Sequence, residues 1–192
     1  MLLAFGHKAR QGKGTAAEAV VNYYNNKREA ALLHLAVNPR ISSNFDSMYP
    51  EAKLFNFADA LYQVCREAYG MTEKDPTLLQ SIGEGRRAEF GRDYWIKQLA
   101  PKVEAFKGIA VISDARYHHE VEYVKSNSGH TINVRRLYDD GSPFIATDRD
   151  PLFVSETQLD GYNYDHYIVS KSAALTAELA ITIAEYIRGL ES

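Results

Sequence analysis

The opening fifteen residues constrain this chain more than any other stretch. Met1 to Gly6 is a short apolar run closed by glycine, the pattern of a strand buried on both faces that feeds a turn. From about Thr15 to Asn26 the apolar residues Ala16, Ala19, Val20 and Tyr23 recur at helical spacing, and Asn25, Asn26 and Lys27 read as the end of that helix. A buried strand, a glycine-bearing loop and a helix start, in that order, outline an anion site. Glycines let backbone N–H groups approach phosphate oxygens, the helix N-terminus adds its dipole, and Lys13 supplies a cation. Arg10, Gln11, Gly12, Lys13, Gly14 and Thr15 are therefore the candidate nucleotide-binding residues, with the Thr15 hydroxyl a candidate Mg²⁺ ligand. The usual spacing places four residues between the two glycines, whereas His7 to Gln11 make five. Either His7 takes the first glycine's place or the loop carries one extra residue. The bland alternative is a helix-start turn with a solvated lysine.

Further along, Ala31 to Val37 and Lys53 to Phe57 read as strands, separated by a polar segment holding Asn38, Pro39, Ser42, Ser43 and Pro50. Ala58 to Tyr69 carries a helical stripe closed by Gly70, and helical stretches follow around Thr77 to Ile82 and from Arg92 to Phe106. Gly108 to Ser113 is a continuous apolar run, typical of a parallel strand buried on both faces, and it ends in Asp114. A helix around Val121 and Val124, a strand from Thr131 to Val134, a last strand from His166 to Val169 and an amphipathic helix from Ala173 to Ile187 complete the pattern. Residues 137–165 are rich in Asp, Gly, Ser and Pro and read as a lid or loop excursion. Strands alternating with helices imply an α/β fold, a doubly wound parallel sheet of about five strands, in one domain spanning residues 1–192.

Composition narrows the partners. A net charge of -3 gives no global pull toward nucleic acid or membrane, so contact with a polyanion must come from local Arg and Lys. The lone Cys65 lies in an apolar helical pattern and reads as core in a reducing compartment. No apolar stretch approaches spanning length, so the expectation is a cytoplasmic protein without a membrane partner, while a homodimer is admitted.

Asp114, at the carboxyl end of a buried strand, sits at the edge where doubly wound proteins bind ligands. It is a candidate to hold Mg²⁺ directly or through water, to contact an acceptor, or simply to cap a nearby helix. Arg116, close behind, has the planar fork that matches phosphate oxygens bidentately. Arg86, Arg87 and Arg92 form a local basic cluster suited to a phosphorylated substrate, or a solvated helix face. His118 and His119 are adjacent and cannot both face one metal from a helix.

These segments together resemble the deoxynucleoside monophosphate kinase-like family of P-loop enzymes, many of them from bacteriophages. Ala9 to Thr15 is similar to the family's Arg-x-Gly-Lys-Asp-Thr element, with Gly14 where aspartate is common. Phe57 to Leu61 resembles its Phe-Ala-Asp segment, and Leu78 to Gly83, Arg87 and Phe90 to Trp95 resemble its central helical motif. Ile112 to Val121 is similar to its Asp-x-Arg-Phe-x-x-Glu pattern, and Ser155 to Thr157 with Asp165 to Ile168 resemble its late Ser-Glu and final strand elements. The resemblance implies ATP and Mg²⁺ as co-substrates, Lys13 and Thr15 as phosphate and metal contacts, and Arg87, Asp114 and Arg116 at an acceptor site. Arg149 is the candidate closing cation of the excursion, with Arg135 and Arg136 as rivals. Three functions are expected to compete: a free deoxynucleoside monophosphate kinase making diphosphates, a viral DNA-modification kinase acting on 5-hydroxymethyluracil in DNA, and a non-catalytic nucleotide-binding module. A monophosphate needs an arginine-lined pocket, while DNA needs an open basic groove with stacking aromatics such as Tyr94, Trp95 and Tyr117, unless these pack in the core.

Overall fold

The computed structural model describes residues 1–37, 44–148 and 150–191, so Asn38, Pro39, Ser42, Ser43 and the candidate Arg149 lie outside the described residues. Five strands, β1 (Leu2–Gly6), β2 (Ala52–Phe55), β3 (Ile109–Ala115), β4 (His130–Arg136) and β5 (His166–Ser170), form one all-parallel sheet in the order β2-β3-β1-β4-β5. The apolar run at the N-terminus thus becomes the central strand. Leu3 lies level with Val111 on one side and His130 on the other. All five residues of β1 are buried, because helices cover both faces.

Alternation along β1 sorts the two half-cores. Leu3 and Phe5 pack with Val20 and Tyr24 of α1 (Lys13–Val37) and with Ala180, Ala184 and Ile187 of α8 (Ala173–Glu191). Leu2 and Ala4 face the opposite layer, built from Ile96, Leu99 and Val103 of α5 (Tyr94–Ala105) and Val121 and Val124 of α6 (His118–Ser126). Between β2 and α5, α3 (Asp59–Tyr69) and α4 (Pro76–Phe90) close a small lobe on Cys65, Met71 and Leu79, so the lone cysteine is core. Asp75 starts α4 by accepting the Leu78 N–H at 3.0 Å with Pro76 behind it, and Gly70 ends α3 in the left-handed conformation. Two one-turn helices, α2 (Phe45–Met48) and α7 (Val154–Thr157), complete the described elements.

One expectation is corrected. Ala31 to Val37 is not a strand but the end of the 25-residue α1. The polar residues read as a stop make tertiary bonds instead: Asn25 exchanges two 2.9 Å hydrogen bonds with the backbone of Ala52, and Lys27 pairs with Glu185 of α8. Residues 137–165 differ in burial along their length. The described residues between 139 and 152 are largely exposed, but Ser155, Glu156, Leu159 and Tyr164 are buried and pack with the body of the protein. No helix among the described residues is long and apolar enough to cross a membrane.

Candidate functional site

The strand order turns at β1, with β3 on one side and β4 on the other, and parallel sheets hold ligands at the carboxyl edge of such a turning point. That edge carries the glycine-rich loop. β1 runs through Gly6, so the loop opens at His7, and α1 begins at Lys13. Gly6 is required by its neighbours: a Cβ there would lie 2.8 Å from the Tyr164 hydroxyl and 3.1 Å from the Ala115 carbonyl oxygen. Gly12 has φ +98° and Arg10 has φ 59°, both left-handed, the kind of backbone that gathers successive N–H groups around an anion. The Gly12 carbonyl accepts the Ala16 N–H at 2.9 Å, which closes the first turn of α1, and the N–H groups before it have no partner within the helix.

Lys13 is only 6% exposed, and its ammonium donates to the Lys8 carbonyl across the loop. Gln11 braces the loop on both sides of the excursion's start, accepting the Arg136 N–H at 2.7 Å and donating to the Phe144 carbonyl at 3.0 Å. Arg10 is exposed and pairs with Asp148 at 2.6 Å. His7 adds no cation, because burial drives its pKa down to about 4.

Two cavities open on this edge. One, of about 610 Å3, is bounded by Arg10 to Thr15, Ser113, Arg136 and the start of α8. The other, of about 430 Å3, lies between the body and the α3–α4 lobe, with Asn56, Tyr62, Lys74, Gln80, Arg87 and Tyr117 in its wall. Both volumes fall in the roughly 300–1,000 Å3 range of small-molecule sites. Asp114 and Arg116 line both.

At that shared wall each side chain is held by others. Asp114 accepts the Phe57 and Ala58 N–H groups, both at 2.9 Å, which ties the end of β3 to the segment that leads from β2 into α3. Burial raises its pKa, opposed by those two bonds and by Arg116. Arg116 donates from Nη1 to Glu156 at 2.7 Å. Glu120 is buried and accepts the Arg116 and Tyr117 N–H groups at 2.7 and 3.1 Å, which opens α6 and fixes the bend that presents Arg116.

Burial, reinforced by the Asp114 charge, pushes the Glu120 pKa up to about 8 from an ordinary 4.5. The folded protein therefore binds this proton more tightly than the unfolded chain does. Its contribution to stability is fully present below the unfolded value and is lost as pH rises through the folded one. Urea midpoints of the wild type should fall between about pH 5 and pH 8, and the fall should be smaller in Glu120→Gln. Equal slopes for the two proteins would sink this assignment.

In the second cavity Arg87 stacks 3.9 Å over the Tyr117 ring, bonds to Glu84 at 3.0 Å and faces Glu120 at 3.6 Å, while its buried Nε has no hydrogen-bond partner among the described residues. The other two arginines of the cluster are elsewhere. Arg86 pairs with Glu89 and lies over Phe90, Arg92 is exposed beside Asp93, and neither lines either cavity. The three aromatics form no open platform: Trp95 is 2% exposed and donates to the Gly83 carbonyl, Tyr117 is 6% exposed and donates to Glu84, and Tyr94 packs edge-on against Trp95. Comparison with known protein families finds no family model that matches the chain, and comparison with curated proteins finds no match.

Arg136 lines the loop cavity and stacks over Phe144, whereas Arg135 lies over Tyr167 and donates to Asn133. Thr15 and Asp114 share the loop cavity; among the described residues no group of three or more His, Cys, Asp or Glu is gathered around a metal position. Sequence reasoning missed the acids. Glu84, Glu120 and Glu156 hold the arginines and the loop, and two of them stand in the quoted motifs, at the end of the Asp-x-Arg pattern and in the Ser-Glu pair.

Proposed function

We propose that this chain is a P-loop nucleotide kinase that transfers the γ-phosphate of ATP to a free deoxynucleoside monophosphate. The observation that carries the reading is the pair of cavities that meet at Asp114 and Arg116. A phosphoryl transfer needs two anionic substrates brought end to end with positive charge at the junction, and little other chemistry from the protein. The glycine-rich loop and the start of α1 would cradle the triphosphate, with Lys13 on its outer phosphates and Arg136 beside the nucleoside. Arg87, whose Nε lacks a partner among the described residues, would bind the acceptor phosphate, and Arg116 would span the group in transit. Asp114, in the shared wall, would orient the acceptor oxygen. Mg²⁺ fits the pair Thr15 and Asp114, because that ion keeps several waters and uses one or two protein oxygens beside substrate phosphates. When bound it offsets the charge on the phosphate oxygens.

The free monophosphate is favoured over a base within DNA by the buried state of Trp95 and Tyr117 and by the position of Arg86 and Arg92 outside the cavity. Steady-state kinetics of Arg87→Ala test the acceptor half. Loss of a charge-assisted bond should raise the acceptor KM about tenfold to a hundredfold and leave the ATP KM within about threefold. An unchanged acceptor KM, or equal rises for both substrates, would remove Arg87 from the acceptor site.

A further inference from the structure

Glu156 has a position that the proposed chemistry does not use directly. It is 4% exposed, on the one-turn helix inside the excursion, 40 residues from Arg116 and 147 from Ala9 in sequence. Its two carboxylate oxygens are divided between the two halves of the site. Oε2 accepts the Ala9 N–H of the glycine-rich loop at 2.8 Å, and Oε1 accepts Arg116 Nη1 at 2.7 Å. Besides the charge of Asp114 nearby, the Arg116 backbone N–H is held by Glu120, and among the described residues the other donors of its guanidinium have no hydrogen-bond partner. A guanidinium carries five N–H donors in a rigid fork, so holding one edge aims the rest.

We infer that Glu156 is a positioning residue which, by bridging the Ala9 N–H and the Arg116 guanidinium, sets the geometry of the phosphate loop and the junction arginine together. This rests on the phosphoryl-transfer reading. The bridge needs two acceptor oxygens on one small group, and only a carboxylate supplies them. Glutamine is nearly the same shape but has one acceptor, so it can serve Ala9 or Arg116 and not both. A neutral side chain also loses the charge-assisted part of the contact with Arg116. Because Glu156 reaches no substrate itself, its loss should alter how the transferring group is met rather than how tightly either substrate binds.

The test compares wild type, Glu156→Gln, Arg116→Ala and the double variant, with two readouts. In γ-phosphate transfer, Glu156→Gln should lower kcat about tenfold to a hundredfold with both KM values within about threefold, and should add nothing in the Arg116→Ala background. In hydrogen exchange without nucleotide, either the Ala9 amide or the Arg116 guanidinium should exchange at least about tenfold faster in Glu156→Gln than in wild type. A kcat at the wild-type level, or an equal further loss in the Arg116→Ala background, would overturn the positioning role. Unchanged exchange at both groups would overturn the bridge whatever the protein transfers. A wild type that moves phosphate to no acceptor, with exchange altered as stated, would overturn the kinase reading and uphold the bridge.

Discussion

Lys13→Ala is expected to lower kcat for phosphate transfer by about a hundredfold to a thousandfold, the usual cost of removing one preorganised charge from a transition state. Lys13 is the first residue of α1, buried to 6% exposure, with its ammonium tethered on the loop's own Lys8 carbonyl. The tether keeps the cation over the loop at the start of α1, whose first-turn N–H groups have no partner within the helix. ATP binding should weaken less than kcat, because Arg136, Lys171 and the loop backbone remain in the cavity. Helix content and melting temperature should stay close to wild type. Measured side by side, a Lys13→Ala protein that is folded and retains its full rate would show that Gly12 to Thr15 is only a helix-start turn.

Arg116→Ala should reduce kcat/KM by a similar factor, about a hundredfold or more, since a single fork at the junction serves both cavities. It should also cost stability, about 1–3 kcal/mol, by leaving the buried Glu156 oxygen without that donor. The two losses can be separated. Arg116→Lys restores a charge but not the planar fork, so it should recover stability more than rate. In urea titrations the double variant Glu156→Gln with Arg116→Ala should be less destabilised than the sum of the single variants, because removing both partners leaves no unpaired charge. An Arg116→Ala enzyme with unaltered kcat/KM would move the junction elsewhere.

The parts of the fold visible in the sequence were those where one physical demand dominates. β1 and β3 are covered on both faces, so their runs are apolar without interruption, and α8 shows its stripe because one side packs on the sheet and the other meets solvent. Ala31 to Val37 misled because its apolar residues are not core: Leu33 is 66% and Val37 79% exposed, and α1 extends that far through the tertiary bonds of Asn25 and Lys27. The excursion conceals its contacts for the opposite reason. Glu156 is buried there because the loop and Arg116 supply its partners, and no local pattern announces a partner 147 residues away. The site was legible in its cations and not in its acids. Lys13, Arg87 and Arg116 stand where anions are expected, whereas a search for an anion site passes over acidic residues. Glu84 and Glu120 are needed there to hold Arg87, and Glu120 and Glu156 to hold Arg116.

The most direct measurement is transfer of labelled γ-phosphate from ATP with Mg²⁺ to each deoxynucleoside monophosphate in turn, run beside duplex DNA containing 5-hydroxymethyluracil. Label on a free monophosphate and none on the DNA is the predicted result. Label on the DNA alone would contradict the choice of acceptor, and label on neither would contradict the kinase assignment itself.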